Sequence, residues 1–148
     1  MKLKVLGAHG GELPGCKSTC FLVDDVLSLA AGRPELLAPI TDAPTYLQVE
    51  AVYAAEAEGA LHLEDVLARR TRISIEYAHR GTESMRRVAE IMAPVLGWSA
   101  AEQAREVEVY QARVDAERRS QTEPDDASAE KMRLEAPEVR DLITSPVA

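Results

Sequence analysis

From Thr45 to Arg119 apolar residues recur at intervals of three and four, and the stretches they define are bounded by capping signals. Nothing else in the 148 residues constrains the fold as strongly. Side chains so spaced share one face of a helix, and that face must be buried against a neighbouring element. Thr45 and Gln48 read as a T-x-x-Q capping box opening YLQVEAVYAAEAEGA, where Tyr46, Val49, Val52, Tyr53 and Ala57 share a face before Gly59 ends the helix. A second helix runs through Leu63, Val66 and Leu67 into a group of arginines. TESMRRVAEIMAPVLGW places Met85, Val88, Ala89 and Met92 on one stripe, with Pro94 near its end and Gly97 as the stop. Ser99 and Glu102 form an S-x-x-E box for a long helix from about Ala100 to Arg119, with Ala104, Val107, Tyr110 and Val114 facing inward. Upstream, DVLSLAAGRPELL reads as a helix stopped by Gly32 and a short turn restarted after Pro34. Beyond Ser120 the chain turns polar and acidic, with Pro124, Pro137 and Pro146, and room for a short helix in ASAEKMRLEAPEVRDLI. The fold expected is mainly α, a bundle of four to five helices.

Composition agrees with this. Apolar residues make up 46%, yet only six are aromatic and much of the rest is Ala, Val and Leu, which suits close-packed helices better than a β-sandwich. A formal charge of −8 argues against general nucleic-acid binding, which needs a positive face to displace counterions. No apolar run approaches the length of a membrane span, and MKLKVLGAHGG does not have the organisation of a signal peptide. Cys16 and Cys20 are too few for a disulfide framework. The expectation is a soluble, cytoplasmic protein.

Charge usage changes abruptly near Val23 to Val26. Three of the four lysines, both cysteines and four of the eight glycines precede that point, whereas residues 26–119 hold eleven arginines and no lysine. Three stretches follow: residues 1–25, residues 26–119 as the helical domain, and residues 120–148 as an acidic, partly disordered tail. In the first, Leu3 and Val5 alternate with Lys2 and Lys4, then a Gly- and Pro-rich loop leads to the apolar run Cys20 to Val23, giving an N-terminal β-hairpin. Gly7, Gly10, Gly11 and Gly15 have neither the spacing nor the following helix of a phosphate-binding fingerprint. His9, Cys16 and Cys20 supply three ligands of the four that structural zinc takes, so the expected metal ligand set is none.

The densest basic cluster is LEDVLARRTRISIEYAHRG, residues 63–81, with Arg69, Arg70, Arg72, His79 and Arg80, and His62 just upstream. Cations at a helix end are favoured by the helix dipole, and Asp65 stands four residues before Arg69 while Glu64 is slightly off-register. Arginine forks suit phosphate, but no Gly-rich loop converges here. Arg69, Arg70 and Arg72 are therefore read as structural and as a docking face. No catalytic and no cofactor-binding residue is assigned.

Two family resemblances bear on these readings. KVLGAHGGELPGCKSTCFLVDDVLSLAAG resembles the opening hairpin of metallo-β-lactamase-fold hydrolases, which hold metal on an H-x-H-x-D-H cluster that this chain lacks. YLQVEAVYAAEAEGALHLEDVLARRTRISIE, with LGWSAAEQAREVEVY and the acidic tail, resembles the C-terminal helical domain of aerobic, FAD-dependent glycerol-3-phosphate dehydrogenases over about Asp25 to Ala148. Those enzymes oxidise glycerol 3-phosphate to dihydroxyacetone phosphate, reduce FAD and pass electrons to membrane quinone, lying peripheral to the cytoplasmic membrane. The resemblance implies an accessory cap, a fragment or fusion without its catalytic body, inactive alone and holding no cofactor itself. The implied partner is that FAD-bearing body. The alternatives are a stand-alone helical interaction module that self-associates and a truncated metallo-β-lactamase-fold phosphodiesterase.

Overall fold

The computed structural model describes residues 3–5 and 21–23 as strands and residues 29–138 in full. Strand β1 (Leu3–Val5) pairs antiparallel with β2 (Phe21–Val23), Leu3 opposite Val23 and Val5 opposite Phe21, so the two expected N-terminal strands pair as a hairpin. The loop glycines, His9, Cys16 and Cys20 lie outside the described residues.

A 3-10 turn at Pro34–Leu37 has Pro at its first position, where a missing N–H costs nothing. It leads into a hairpin that the periodicity does not announce. Strand β3 (Pro39–Ile40) turns through Thr41 and Asp42, whose φ is 63°, into the antiparallel β4 (Ala43–Leu47). Pro44 biases Ala43 toward extended backbone, and Thr45 and Tyr46 are β-formers, so local preference favours the strand. The Thr45–Gln48 capping box is thereby corrected. Helix α1 (Gln48–Ala57) begins after Leu47, whose N–H donates to Glu50 Oε1 at 2.7 Å. Leucine has no acceptor to return that bond, so only half of a capping box exists.

Helix α1 is apolar nearly all round. Val49, Ala51, Val52 and Ala54 are fully buried, as a central helix requires, while Ala57, expected inward, is exposed. After a short loop, Leu63 and Glu64 open a helix that widens into a π-turn over Asp65–Arg70. The Thr71 N–H donates to Val66 O at 2.8 Å across five residues, and the Thr71 hydroxyl donates to the same oxygen at 2.7 Å. A single helical turn, α2 (Ile73–Glu76), follows.

Helix α3 (Met85–Leu96) buries Met85, Val88, Ala89 and Met92, the stripe its spacing predicts, and packs across α1. Pro94 sits in its last turn, and Gly97 at φ 70° closes it. Helix α4 (Ala100–Ser120) starts on the expected box: Ser99 N–H donates to Glu102 Oε2 at 2.7 Å and Glu102 N–H to Ser99 Oγ at 3.2 Å. Val107, Tyr110 and Val114 face the core, but Ala104 is exposed. The short helix expected in the tail is α5 (Asp126–Leu134), capped by Asp125 and packed on α4.

One apolar cluster joins the elements from the 3-10 turn to α4, with Ile40, Val49, Val52, Leu63, Val66, Leu67, Ile73, Val88 and Met92 all excluded from solvent. Helices around a single core, with two small hairpins, give the bundle its form. Among the described residues no helix is long and apolar enough to cross a membrane.

Candidate docking interface

The π-turn decides what the arginines do. With a turn widened toward five residues, side chains four and five apart lie on the same face. Arg69 therefore reaches both Asp65 Oδ1 and Glu64 Oε1, each at 2.8 Å, and the off-register pair becomes an in-register one. Arg70 turns to the end of α1 and donates to the Glu58 carbonyl at 2.7 Å, satisfying one of the C-terminal oxygens that a helix leaves open. Arg72 behaves differently. Its side chain is 69% exposed, with Glu76 the nearest carboxylate at 3.5 Å. The backbone is what holds it: Arg72 N–H donates to Tyr46 Oη at 3.1 Å, and that hydroxyl donates to Glu76 Oε2 at 2.9 Å. Burial first, and the hydrogen bond to Glu76 second, push the Tyr46 hydroxyl up to about 12.

The neighbouring histidines are also committed. His79 Nε2 lies 2.9 Å from Asp42 O, and Gly81 N–H donates to His79 Nδ1 at 3.0 Å, which assigns the proton to Nε2. His62 Nδ1 lies 2.8 Å from Glu106 Oε1, while Glu106 Oε2 accepts the Leu63 N–H at 2.9 Å. Glu106 is a buried carboxylate that fastens α4 to the start of the π-turned helix, where orphan N–H groups and the dipole favour negative charge. Sequence reasoning passed over it. The signal was there, since Glu106 stands four residues before the inward Tyr110.

Between the π-turn, α2 with its following loop, and α4 lies a cleft of about 490 Å³. Tyr110 forms part of its lining and donates its hydroxyl to Arg80 O at 2.6 Å. Burial raises the Tyr110 hydroxyl above the usual tyrosine range, reinforced by the charges of Glu117 and Glu64. Ion pairs cross the rim. Arg113 is held between Glu64 at 3.1 Å and Glu138 at 2.9 Å, and Arg80 meets Glu117 at 2.8 Å. Ile75 stands on the wall, 69% exposed. The lining combines apolar side chains with paired charges. Among the described residues no group of three or more His, Cys, Asp and Glu is placed to hold a metal ion.

Comparison with known proteins places the chain in a family. Residues 22–103 match the family described as the C-terminal domain of alpha-glycerophosphate oxidase, so the three arginines and Ile75 fall within the match, and Tyr110 and Arg113 beyond it. Glycerol-3-phosphate dehydrogenase 2 of Mycobacterium tuberculosis (strain ATCC 25618 / H37Rv) is 64% identical over 126 residues, covering 85% of this chain and 22% of that protein. Glycerol-3-phosphate dehydrogenase of Mycobacterium leprae (strain TN) is 60% identical over 127 residues, 86% of this chain and 22% of that protein. The chain thus spans 22% of the length of these curated relatives. No solved structure matches it.

Proposed function

Since the chain belongs to the family of C-terminal domains of alpha-glycerophosphate oxidase, we propose that it serves as the accessory helical cap of an FAD-dependent glycerol-3-phosphate dehydrogenase. The body it serves oxidises glycerol 3-phosphate to dihydroxyacetone phosphate with reduction of FAD. The observation that carries this reading is identity of 64% confined to 22% of the relative's length, which leaves the machinery of oxidation to the rest. The described residues themselves do not fit a flavin. Strand β3 is two residues long and antiparallel, and Gly59, Gly81 and Gly97 sit at helix ends or in a turn, not between a parallel strand and a helix. The chain alone is therefore read as inactive, with the body as its partner.

The docking face carries Arg69, Arg70 and Arg72. Arg69 and Arg70 set its shape through their internal bonds, and Arg72, the most exposed of the three, can meet a carboxylate of the body. The test is the affinity of the chain for the M. tuberculosis body lacking its own matching region. Removing a bidentate ion pair by Arg72→Ala weakens binding roughly tenfold or more. Identical binding by the parent chain and by Arg70→Ala and Arg72→Ala overturns this role for the arginines. Exposed Ile75 and Leu134 favour a second reading, a self-associating helical module, which sizing at rising concentration would reveal.

Residues 1–25, 26–119 and 120–148 are read as hairpin, helical domain and acidic tail, a division supported by a family match beginning at residue 22. The metallo-β-lactamase-fold likeness of the hairpin belongs to the same reading, supported by the antiparallel register of β1 and β2.

A further inference from the structure

We infer that the cleft walled by Ile75 is the seat of one segment of the catalytic body, a segment bearing an aliphatic side chain next to carboxylates. This rests on the accessory-cap reading and says where the cap is gripped and by what.

Four large apolar residues are exposed among the described residues: Leu37, Leu61, Ile75 and Leu134. Of these, Ile75 stands on the wall of the ≈ 490 Å³ cleft, beside Ala68, Ala78 and Val114. A space of that size falls in the range, roughly 300–1,000 Å³, that encloses a bound group. An aliphatic side chain placed there covers Ile75 and removes apolar surface from water.

The charge of the occupant follows from the rim. A smaller hollow of about 120 Å³, lined by Arg133 and Ala136, shares Arg113 and Glu117 with the cleft, so the two adjoin, and the proposed groove comprises both. Glu64 and Glu117 in this groove are already paired with arginines at 2.8–3.1 Å. Arg133 lines the hollow and has no carboxylate partner among the described residues, and Arg118 donates only to the carbonyl of Ala78, a residue of the cleft wall, at 3.3 Å. An incoming cation would find its carboxylates taken. An incoming carboxylate finds two arginines open. On a chain of net charge −8 an acidic segment is repelled elsewhere, so this groove selects both the place and the orientation of docking. The body is the occupant because 22% of the relative is matched and the greater part of the same polypeptide lies beyond the match.

The test uses the chain itself, isotopically labelled, titrated with overlapping synthetic peptides tiled across the unmatched length of the M. tuberculosis relative. The expected result is that peptides carrying an aliphatic residue beside Asp or Glu bind, shifting the amide signals of Ile75, Ala78 and Val114. Ile75→Glu and, separately, Arg133→Glu then weaken the binding at least tenfold, while Leu61→Glu leaves it unchanged. Peptides that bind elsewhere, bind equally to all variants, or do not bind at all overturn the inference. If the intact body still captures the chain in those cases, the accessory-cap reading stands and only the groove falls. If the body does not capture it either, both fall.

Discussion

Gly81 has φ +83°, and a Cβ built there would lie 3.1 Å from Tyr110 Oη, 3.4 Å from Ile73 Cγ2 and 3.4 Å from Leu67 Cδ1. Arg80 before it is also left-handed, at φ 53°, and its carbonyl is held by the Tyr110 hydroxyl at 2.6 Å. The loop that carries the cleft wall thus depends on one residue without a side chain and one buried hydroxyl. Gly81→Ala combines backbone strain with a tight approach and is expected to destabilise the fold by roughly 1–3 kcal/mol in urea unfolding. The same hydroxyl makes the fold sensitive to alkali. Tyr110 and Tyr46 both have their hydroxyls raised, Tyr46 to about 12, so the native state favours the neutral form. A group raised above its unfolded value contributes stability below that value, about 10 for tyrosine, and loses it as pH rises toward the folded one. The tyrosine contribution to stability, followed by denaturant titration, is therefore constant up to about pH 10 and falls away above it. Tyr110→Phe should flatten part of that fall while costing about 1–3 kcal/mol at neutral pH, because Arg80 O loses its donor.

Among the elements, those governed by short-range rules were legible. Ser99 and Glu102 make their box, the Met85–Met92 stripe is buried, and Gly97 ends its helix as its αL preference demands. Ser99→Ala removes the side-chain acceptor for Glu102 N–H and is expected to cost about 1 kcal/mol, read from the urea midpoint. Bonds from Ser99 and Ser128 also hold the Glu102 and Asp125 carboxyls below their ordinary values. That contribution is present above the unfolded pKa and is lost as pH falls into the acid range, so both caps weaken at low pH. What was not legible depended on tertiary context. Thr45 looks like a helix cap until Tyr77 Oη is found 2.6 Å from its hydroxyl and β4 is seen paired with β3. The π-turn is hidden in a sequence that satisfies α-helical spacing equally well, yet it is what brings Glu64 to Arg69. The cleft could not be read at all, because its walls come from residues as distant in sequence as Glu64 and Glu117. Glu106 was readable in principle, but a charged residue on an inward stripe is usually taken as a solvated flank.

For the molecule as a whole, the acidic bundle leaves Arg72 and Ile75 exposed, with Arg133 lining the hollow that adjoins the Ile75 cleft and Arg118 bonded to the Ala78 carbonyl of its wall. Arg69 is held by Asp65 and Glu64, and Arg70 by the Glu58 carbonyl, so the proposed docking rests more on the exposed Arg72 downstream than on the pair that dominates the sequence. Because such steering is electrostatic, association with the body should slow and weaken as salt is raised from low to physiological strength. Whether the bundle is a cap at all is decided by calorimetric titration of the chain into the M. tuberculosis body lacking its matching region. A cap gives saturable binding with a 1:1 midpoint and a negative heat-capacity change from buried apolar surface. Absence of binding by a folded chain to a folded body, with self-association of the chain instead, would refute the cap assignment.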